Sequence, residues 1–210
     1  FYRGVRFGRG HAMAIVGQSV YPASTGIGMC GDGIAASATA IDTDRKDVFL
    51  LPLENPQQTP VYEYEKVYSP ESPKFVRAMA EAIGDYLVIW ISGTASIVRS
   101  KTVHVGQPGK QADQTLSNIE VLISQKSFAR CGVPNVGATL RDLAKLRVYV
   151  KRPQDYPVIR KAVERRCGKS LPVIYVIADV CRSDLLVEME GLAFAKRPGN
   201  GFHGRRFGRV

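Results

Sequence analysis

Two stretches, Ile89-Trp90-Ile91-Ser92-Gly93-Thr94-Ala95-Ser96 and Asp184-Leu185-Leu186-Val187-Glu188-Met189-Glu190-Gly191, bracket the part of this chain whose reading decides the fold. Residues 86–92 form a nearly continuous apolar run of strand length, as expected of a strand covered on both faces. Residues 110–125 place Ala112, Leu116, Ile119, Leu122 and Ile123 on one face of a helix. Residues 127–137, with Gly132, Pro134 and Gly137, read as a loop. Leu146, Val148 and Val150 alternate with Arg147, Tyr149 and Lys151, the pattern of a half-buried strand. Residues 157–167 read as a second helix, with Val158, Ala162 and Val163 toward the core, and residues 173–178 and 185–195 as two more strands. Both helices lie between strands, so they should cover one face of a mixed sheet, giving an α/β fold. These periodicities put Leu116, Ile119, Leu122, Val148, Val176 and Val187 together in one core.

The upstream part is less regular. Gly26-Ile27-Gly28, Gly31 and Gly33 precede a predicted strand over residues 34–40. No Lys-Ser or Lys-Thr follows them, so a turn-rich approach fits better than a phosphate loop. Residues 47–53 read as a strand ending at Pro52, and residues 54–60 as a loop held open by Pro56 and Pro60. Tyr62, Tyr64 and Tyr68 alternate with polar residues, as on an exposed strand or extended arm. Pro73 behind Ser72 suits a helix start, and Phe75, Met79, Ala82 and Ile83 follow at helix spacing, predicting a short helix or structured loop stopped by Gly84-Asp85.

The 210 residues suffice for one large domain or two small ones with a real core. No apolar run approaches the roughly 20 residues of a membrane span, and no membrane partner is expected. The four cysteines lack paired spacing and no leader is visible, so the expected location is the reduced cytoplasm. The net charge of +10 is concentrated at the ends. Residues 1–10 carry Arg3, Arg6 and Arg9, residues 196–210 carry Lys196, Arg197, Arg205, Arg206 and Arg209, and neither segment holds an acid. Both contain Arg-Phe-Gly-Arg, at 6–9 and 206–209. Such segments can pair with phosphates and stack on bases. Their shortness favours plain solubilising ends over nucleic-acid contact.

The order strand, helix, strand, helix, strand with these end motifs resembles the YjgF/RidA superfamily. Its deaminases carry Pro-Ala-Arg at the start of the penultimate strand, where the Arg holds a substrate carboxylate. This chain reads Pro172-Val173-Ile174-Tyr175 there. The motifs resemble instead the chorismatase branch of that superfamily. They are Gly8-Arg9, Tyr21-Pro22-Ala23-Ser24-Thr25-Gly26-Ile27-Gly28, Glu54-Asn55-Pro56-Gln57-Gln58, Tyr68-Ser69-Pro70-Glu71-Ser72-Pro73, Phe75 with Arg77-Ala78, and Ala178-Asp179-Val180-Cys181-Arg182. Together they span nearly the whole chain in the branch's order. Four positions depart from its pattern: Gln57 and Glu71 stand where it has Arg, and Ser69 and Arg99 where it has Gly. Residue 1 is Phe and the branch extends upstream of Gly8-Arg9, so a chain lacking its first strand or more is expected, by processing, truncation or divergence.

Glu188 and Glu190 are the sharpest pair of candidate site residues. On a strand, residues two apart share a face, so Leu186, Glu188, Glu190 and Leu192 point one way and Val187, Met189, Gly191 and Ala193 the other. Two acids on an otherwise apolar strand face mark either a polar cleft or a solvated sheet face. The resemblance implies the cleft, with Glu188 as general acid and Glu190 as the second acid that raises its pKa. A chorismate-like dianion calls for arginine clamps, and the candidates are Arg9, Arg77, Arg165 and Arg182. Arg165 near a helix C-terminus equally complements the helix dipole. Gly93, Thr94 and Ala95 are small enough to leave room for a ring, or form an ordinary strand-end turn. Tyr68, Tyr175 and Cys181 complete the implied substrate-binding set. Cys181 has no partnered base, which leaves it packing against substrate or in the core. His11, His104, His203, Cys30, Cys131 and Cys167 have no ligand spacing, so neither a metal nor a cofactor is expected.

The resemblance implies two RidA-like lobes, with mixed sheets and helices on one face: residues 1–84 a divergent N-terminal lobe, 85–197 a C-terminal RidA-like domain, and 198–210 a basic tail. It implies an enzyme releasing pyruvate from chorismate to give a hydroxybenzoate or a dihydroxycyclohexadiene carboxylate, as a trimer or a compact monomer. Two other readings stay open: a RidA-like enamine/imine deaminase, and a non-catalytic small-molecule- or RNA-binding protein on the same fold.

Overall fold

The computed structural model describes residues 13–15, 18–28, 31–41, 43–45, 47–64 and 72–196. A small hairpin, β1 (Met13–Ile15) with β2 (Gln18–Val20), precedes the main sheet. That sheet contains β3 (Val48–Leu53), β4 (Ala78–Ile83), β5 (Tyr86–Ala95), β8 (Leu143–Val150), β9 (Val173–Ile177) and β10 (Val187–Lys196), in the order β3-β4-β5-β10-β8-β9. A short ribbon, β6 (Ile97–Val98) with β7 (Lys101–Thr102), follows β5. The helices are α1 (Pro108–Ile123), α2 (Gln125–Arg130) and α3 (Tyr156–Cys167). Pairing is antiparallel throughout the main sheet except between β8 and β9, which are joined through α3 and run parallel. The result is the mixed sheet of an α/β fold with helices on one face.

Side-chain alternation builds the core. Leu87, Ile89 and Ile91 of β5, Val187, Met189 and Ala193 of β10, and Leu146, Val148 and Val150 of β8 point to the same face. There they meet Ala112, Leu116, Ile119, Leu122 and Ile123 of α1 and Ile159, Ala162 and Val163 of α3. The expected cluster therefore forms, with two changes. Val158 is exposed and Ile159 takes its place. Val176 is 36% exposed, because β9 is an edge strand whose Val173 and Tyr175 face the helices and whose Ile174 and Val176 face away. An unbroken Val-Ile-Tyr-Val-Ile run carries no alternation from which those faces can be read.

Residues 78–83 are strand, not helix. Ala78, Ala80 and Ala82 are fully buried against the helical layer, while Met79 and Glu81 pack on the opposite face. Pairing on both sides, with β3 and β5, overrides the helix preference of alanine. Gly84, at φ 55°, turns the β4–β5 hairpin. The sheet is thus continuous across residue 84, where the sequence suggests a boundary between lobes. Pro52 lies inside β3, which is tolerated because β3 is the other edge and loses no ladder bond there. Residues 34–40 form no strand and are exposed. Arg9, Tyr68, the motif positions 8–9 and 68–71, and the 198–210 tail lie outside the described residues, as do His11, Cys30 and His203.

A buried amide ties α1 to the end of β5. Asn118, with no exposed surface, donates from Nδ2 to the carbonyls of Ala95 and Ile97, both at 2.9 Å. Asn55 donates in turn to the Asn118 carbonyl at 2.9 Å. Asn118→Leu keeps the volume but removes the donor to the Ala95 carbonyl and one of the two donors to the Ile97 carbonyl, which keeps Gln58 Nε2 at 3.0 Å. A lost buried hydrogen bond costs roughly 1–3 kcal/mol. We expect a stability loss of about 2–5 kcal/mol in urea denaturation with an unchanged m-value; a loss below about 0.5 kcal/mol would show the network to be incidental.

Candidate active site

The site begins where β5 meets β10. Glu188 is opposite Ala95 and Met189 opposite Thr94, and the register then slips between Met189 and Gly191. Glu188 is 7% exposed, on the sheet face away from the helices. Its carboxyl lies directly over Gly93: a Cβ at 93 would overlap Glu188 Oε1 and sit 3.0 Å from Thr25 Cγ2. Glycine is required at 93 by this close approach, not by its backbone angles.

Residues 21–28 wall the site. Val76 N donates to the Pro22 carbonyl at 3.1 Å, Ser24 N to Ser92 Oγ at 3.0 Å, and Gly93 N to Thr25 Oγ1 at 2.8 Å. Gly28 and Asp179 exchange two backbone hydrogen bonds of 3.1 Å. The Tyr-Pro-Ala-Ser-Thr-Gly-Ile-Gly segment is therefore held in turn by the entry to β4, by β5 and by the turn after β9.

Two arginines meet the ring of Tyr64. Arg77, only 2% exposed, donates from Nη2 to Tyr64 Oη at 2.6 Å and to the Thr59 carbonyl at 3.1 Å, while its Nε is buried without a partner. Arg182 donates from Nη1 to the Ser100 carbonyl at 2.8 Å. The two guanidinium carbons lie 5.6 Å (Arg77) and 5.2 Å (Arg182) from the Tyr64 ring centroid.

Burial dominates the electrostatics. It pushes the Glu188 carboxyl up to about 7; the Arg77 charge pulls it down, and Glu190 adds a smaller push upward. Glu188 Oε2 has no hydrogen-bond partner, so only the Arg77 charge, without a hydrogen bond, offsets a negative charge there. Cys181 is exposed as a residue, yet desolvation of its thiol, reinforced by Glu188, pushes it up to about 11 against the opposing charges of Arg182 and Arg77. It is a thiol at neutral pH, consistent with contact rather than nucleophilic attack.

Glu188, Gly93, Arg77, Arg182 and Cys181 thus come together. Ala95 shares the Glu188 face but packs into a small cluster with Ile97, Tyr149 and Val180. Thr94, opposite Met189, points to the other face, and its hydroxyl donates to the Ser92 carbonyl at 2.9 Å. Arg165 is not in the site: it pairs with Asp113 on the outer surface, linking α3 to α1. Tyr175 is also elsewhere, packed edge-on against Tyr156 on the helical side, with ring centroids 5.0 Å apart. Glu190 is held by Arg147 and by Tyr149 Oη, the latter at 2.9 Å, beside Glu188 on the same face. Tyr64, Thr25 and Ser92 are participants that sequence reasoning missed. Tyr64 reads as one of an exposed series, and only the fold brings it to Arg77. Among the described residues, no three His, Cys, Asp or Glu side chains gather so as to hold a metal ion.

Comparison with known proteins agrees with this geometry. A 3-hydroxybenzoate synthase of Streptomyces hygroscopicus is 38% identical over 178 residues, 82% of this chain and 50% of that protein. A crystal structure of a chorismatase superposes with a TM-score of 0.70 at 30% identity, over 83% of this chain and 51% of that one. The chain is a chorismatase-like member of the YjgF/RidA superfamily. A RutC family protein of Pyrococcus abyssi is 25% identical over 133 residues, 62% of this chain and 96% of that protein, in keeping with the wider superfamily. No family model matches the chain. The chain spans about half the length of the curated chorismatase relatives it matches.

Gly93→Ala tests the close approach. The added methyl must displace Glu188 or Thr25, at a cost of roughly 1–3 kcal/mol typical of overpacking. Thermal denaturation should show this destabilisation, and Gly93→Ala combined with Glu188→Ala should recover most of it. Equal destabilisation in single and double variants would mean that Glu188 does not lie over Gly93.

Proposed function

We propose that this chain carries the catalytic half of an enzyme that releases pyruvate from chorismate, leaving a hydroxybenzoate or a dihydroxycyclohexadiene carboxylate. The observation that carries the reading is Glu188: a buried carboxyl, unpartnered at Oε2, raised to about 7, and within reach of the Arg77 charge, with Arg182 on the same Tyr64 ring as Arg77. The enol ether of such a substrate is cleaved by adding a proton to its terminal methylene carbon. Glu188 in its protonated form is the donor. The resulting oxocarbenium ion is opened by water or by the ring's own hydroxyl, the bond between the ring and the ether oxygen or within the pyruvyl ketal breaks, and pyruvate departs. The carboxylate left on Glu188 regains its proton from the attacking water or from the ring as it aromatises. Arg77 and Arg182 supply the positive charge that two carboxylates require, and Arg77 Nε is the donor still available for one. Gly93 leaves space beside the acid.

The deaminase reading lacks its cation, because the arginine position of Pro-Ala-Arg is filled by Ile174, which is 60% exposed on the outward face of β9. The departures at Gln57 and Glu71 are what favour a non-catalytic binding role, and the assay below separates the two.

Incubation with chorismate and measurement of pyruvate decides the matter. Glu188→Gln keeps shape but has no carboxylic proton, and should lower turnover roughly 100-fold or more. The wild-type rate should be flat below pH about 7 and fall above it, because the acid form is lost as pH rises through the folded pKa. Unchanged turnover in Glu188→Gln would remove the assignment. Arg77→Ala should weaken binding by roughly 2–4 kcal/mol, read as a raised KM.

For the assembly, we infer a trimer or a compact monomer. Ile174 is 60% and Phe194 48% exposed on the open sheet face, and Tyr86 stacks on Phe194 at 5.3 Å. These apolar side chains are what a sheet-to-sheet contact would cover. Light scattering should give one of those two masses; a dimer alone would contradict it. The described cysteines Cys131, Cys167 and Cys181 are all free, which suits a reducing compartment such as the cytoplasm.

A further inference from the structure

A cavity lies where Glu54 meets the Arg77 backbone amide. It measures about 650 Å³ and is lined by Pro52, Pro56 and Val76, the rings of Tyr21 and Tyr62, and Glu54, with Gln58 also on its wall. Tyr21 and Val76 belong also to the wall of the Glu188 site, but Glu188, Gly93, Arg77, Arg182 and Cys181 do not line this cavity. Two buried acceptors on this wall lack a hydrogen bond: Glu54 Oε2 and Gln58 Oε1. Each side chain is anchored by its other end. Glu54 Oε1 accepts from Arg77 N at 3.3 Å, and Gln58 Nε2 donates to the Ile97 carbonyl at 3.0 Å. Gln58 is only 6% exposed. With Glu54 ionised, the unused valence on both is acceptor valence, on a wall that also carries prolines and tyrosine rings. The two rings lie 5.6 Å apart.

A buried acceptor left unpaired costs free energy, and a ligand that donates to it recovers that cost. Two acceptors, one of them a carboxyl, beside two aromatic faces match a group that donates several hydrogen bonds and carries positive charge. An ionised Glu54 disfavours a carboxylate ligand at this end. We propose that the cavity binds a small primary ammonium compound with an aromatic or apolar body, its amine between Glu54 and Gln58 and its body against Pro52, Pro56, Val76, Tyr21 and Tyr62. This ligand is opposite in charge to the substrate assigned to Glu188, and the inference does not depend on that assignment.

The groups acting on Glu54 give the binding a protonic signature. Burial raises the carboxyl to about 7, the charge and amide of Arg77 lower it, and Glu63 raises it. Tyr62 and Cys131 face it as neutral groups whose own ionisation Glu54 opposes, and exposed Arg130 stands at the rim. An ammonium ligand favours the carboxylate, so binding below pH 7 must release a proton.

The test is calorimetry on the full chain with phenethylamine as probe, and with 2-phenylethanol and phenylacetate as neutral and anionic counterparts. Phenethylamine should bind at pH 8, and the other two at least about 10-fold more weakly, the discrimination expected of a charge-assisted hydrogen bond. At pH 6 the binding heat should depend on the buffer's ionisation enthalpy, reporting the released proton. Glu54→Gln still accepts from the Arg77 amide and so preserves the fold; it should weaken phenethylamine about 10-fold or more and abolish the buffer dependence. Glu188→Gln should leave phenethylamine binding unchanged, which separates this site from the other. Absence of phenethylamine binding, equal binding of the alcohol, retention of affinity in Glu54→Gln, or loss of it in Glu188→Gln would each overturn the proposal.

Discussion

The antiparallel pairing of β5 with β10 is the constraint on which the rest of the molecule depends. These two strands occupy the middle of the six-stranded sheet. One face of each is consumed by the core, through Leu87, Ile89, Ile91, Val187, Met189 and Ala193. Because side chains alternate, fixing that face also fixes the other, and Glu188 has no freedom to leave it. The register slip between Met189 and Gly191 then brings its carboxyl over the one position in β5 that has no side chain. The acid is buried as a consequence of the apolar core on the opposite side of its own strand.

That burial has a cost that varies with pH. A glutamic acid raised from 4.5 to about 7 holds its proton more tightly in the folded than in the unfolded chain. Below pH 4.5 both states are protonated and nothing is lost. As pH rises from 4.5 to 7 the fold surrenders stability, on the order of 3 kcal/mol once both states are ionised. Glu54 has the same direction of shift and shares Arg77 as its opposing charge. The Arg77 charge thus opposes the shift of both reluctant carboxyls, and its backbone amide is bound to Glu54.

Much of this was legible in the sequence wherever one periodicity dominated. The α1 face of Leu116, Ile119 and Leu122 and the β8 alternation of Leu146, Val148 and Val150 follow from spacing alone. So does the separation of Glu188 from Val187 and Met189. Residues 78–83 misled because alanine fits a helix and only pairing with two neighbours makes it a strand. Residues 34–40 misled for the converse reason: a strand-like composition with no partner to pair with. In the site, Glu188 and Gly93 were readable from strand parity and small size. Tyr64 and Thr25 were not, since each reaches the site through a long loop that only tertiary contacts fix. Arg165 was drawn in by its chemistry, but its helix turns it toward Asp113.

The central claim is that Glu188 is a carboxylic acid, not a carboxylate, when the site is ready for substrate. Infrared difference spectra between the wild-type chain and Glu188→Gln, recorded across pH 4 to 9, follow the protonated carbonyl stretch of this one group. The structure predicts that the band persists to neutral pH and titrates with a midpoint near 7. A midpoint near the ordinary 4.5 would show that the carboxyl is solvated and ionised, and would contradict the account of the site built on its burial.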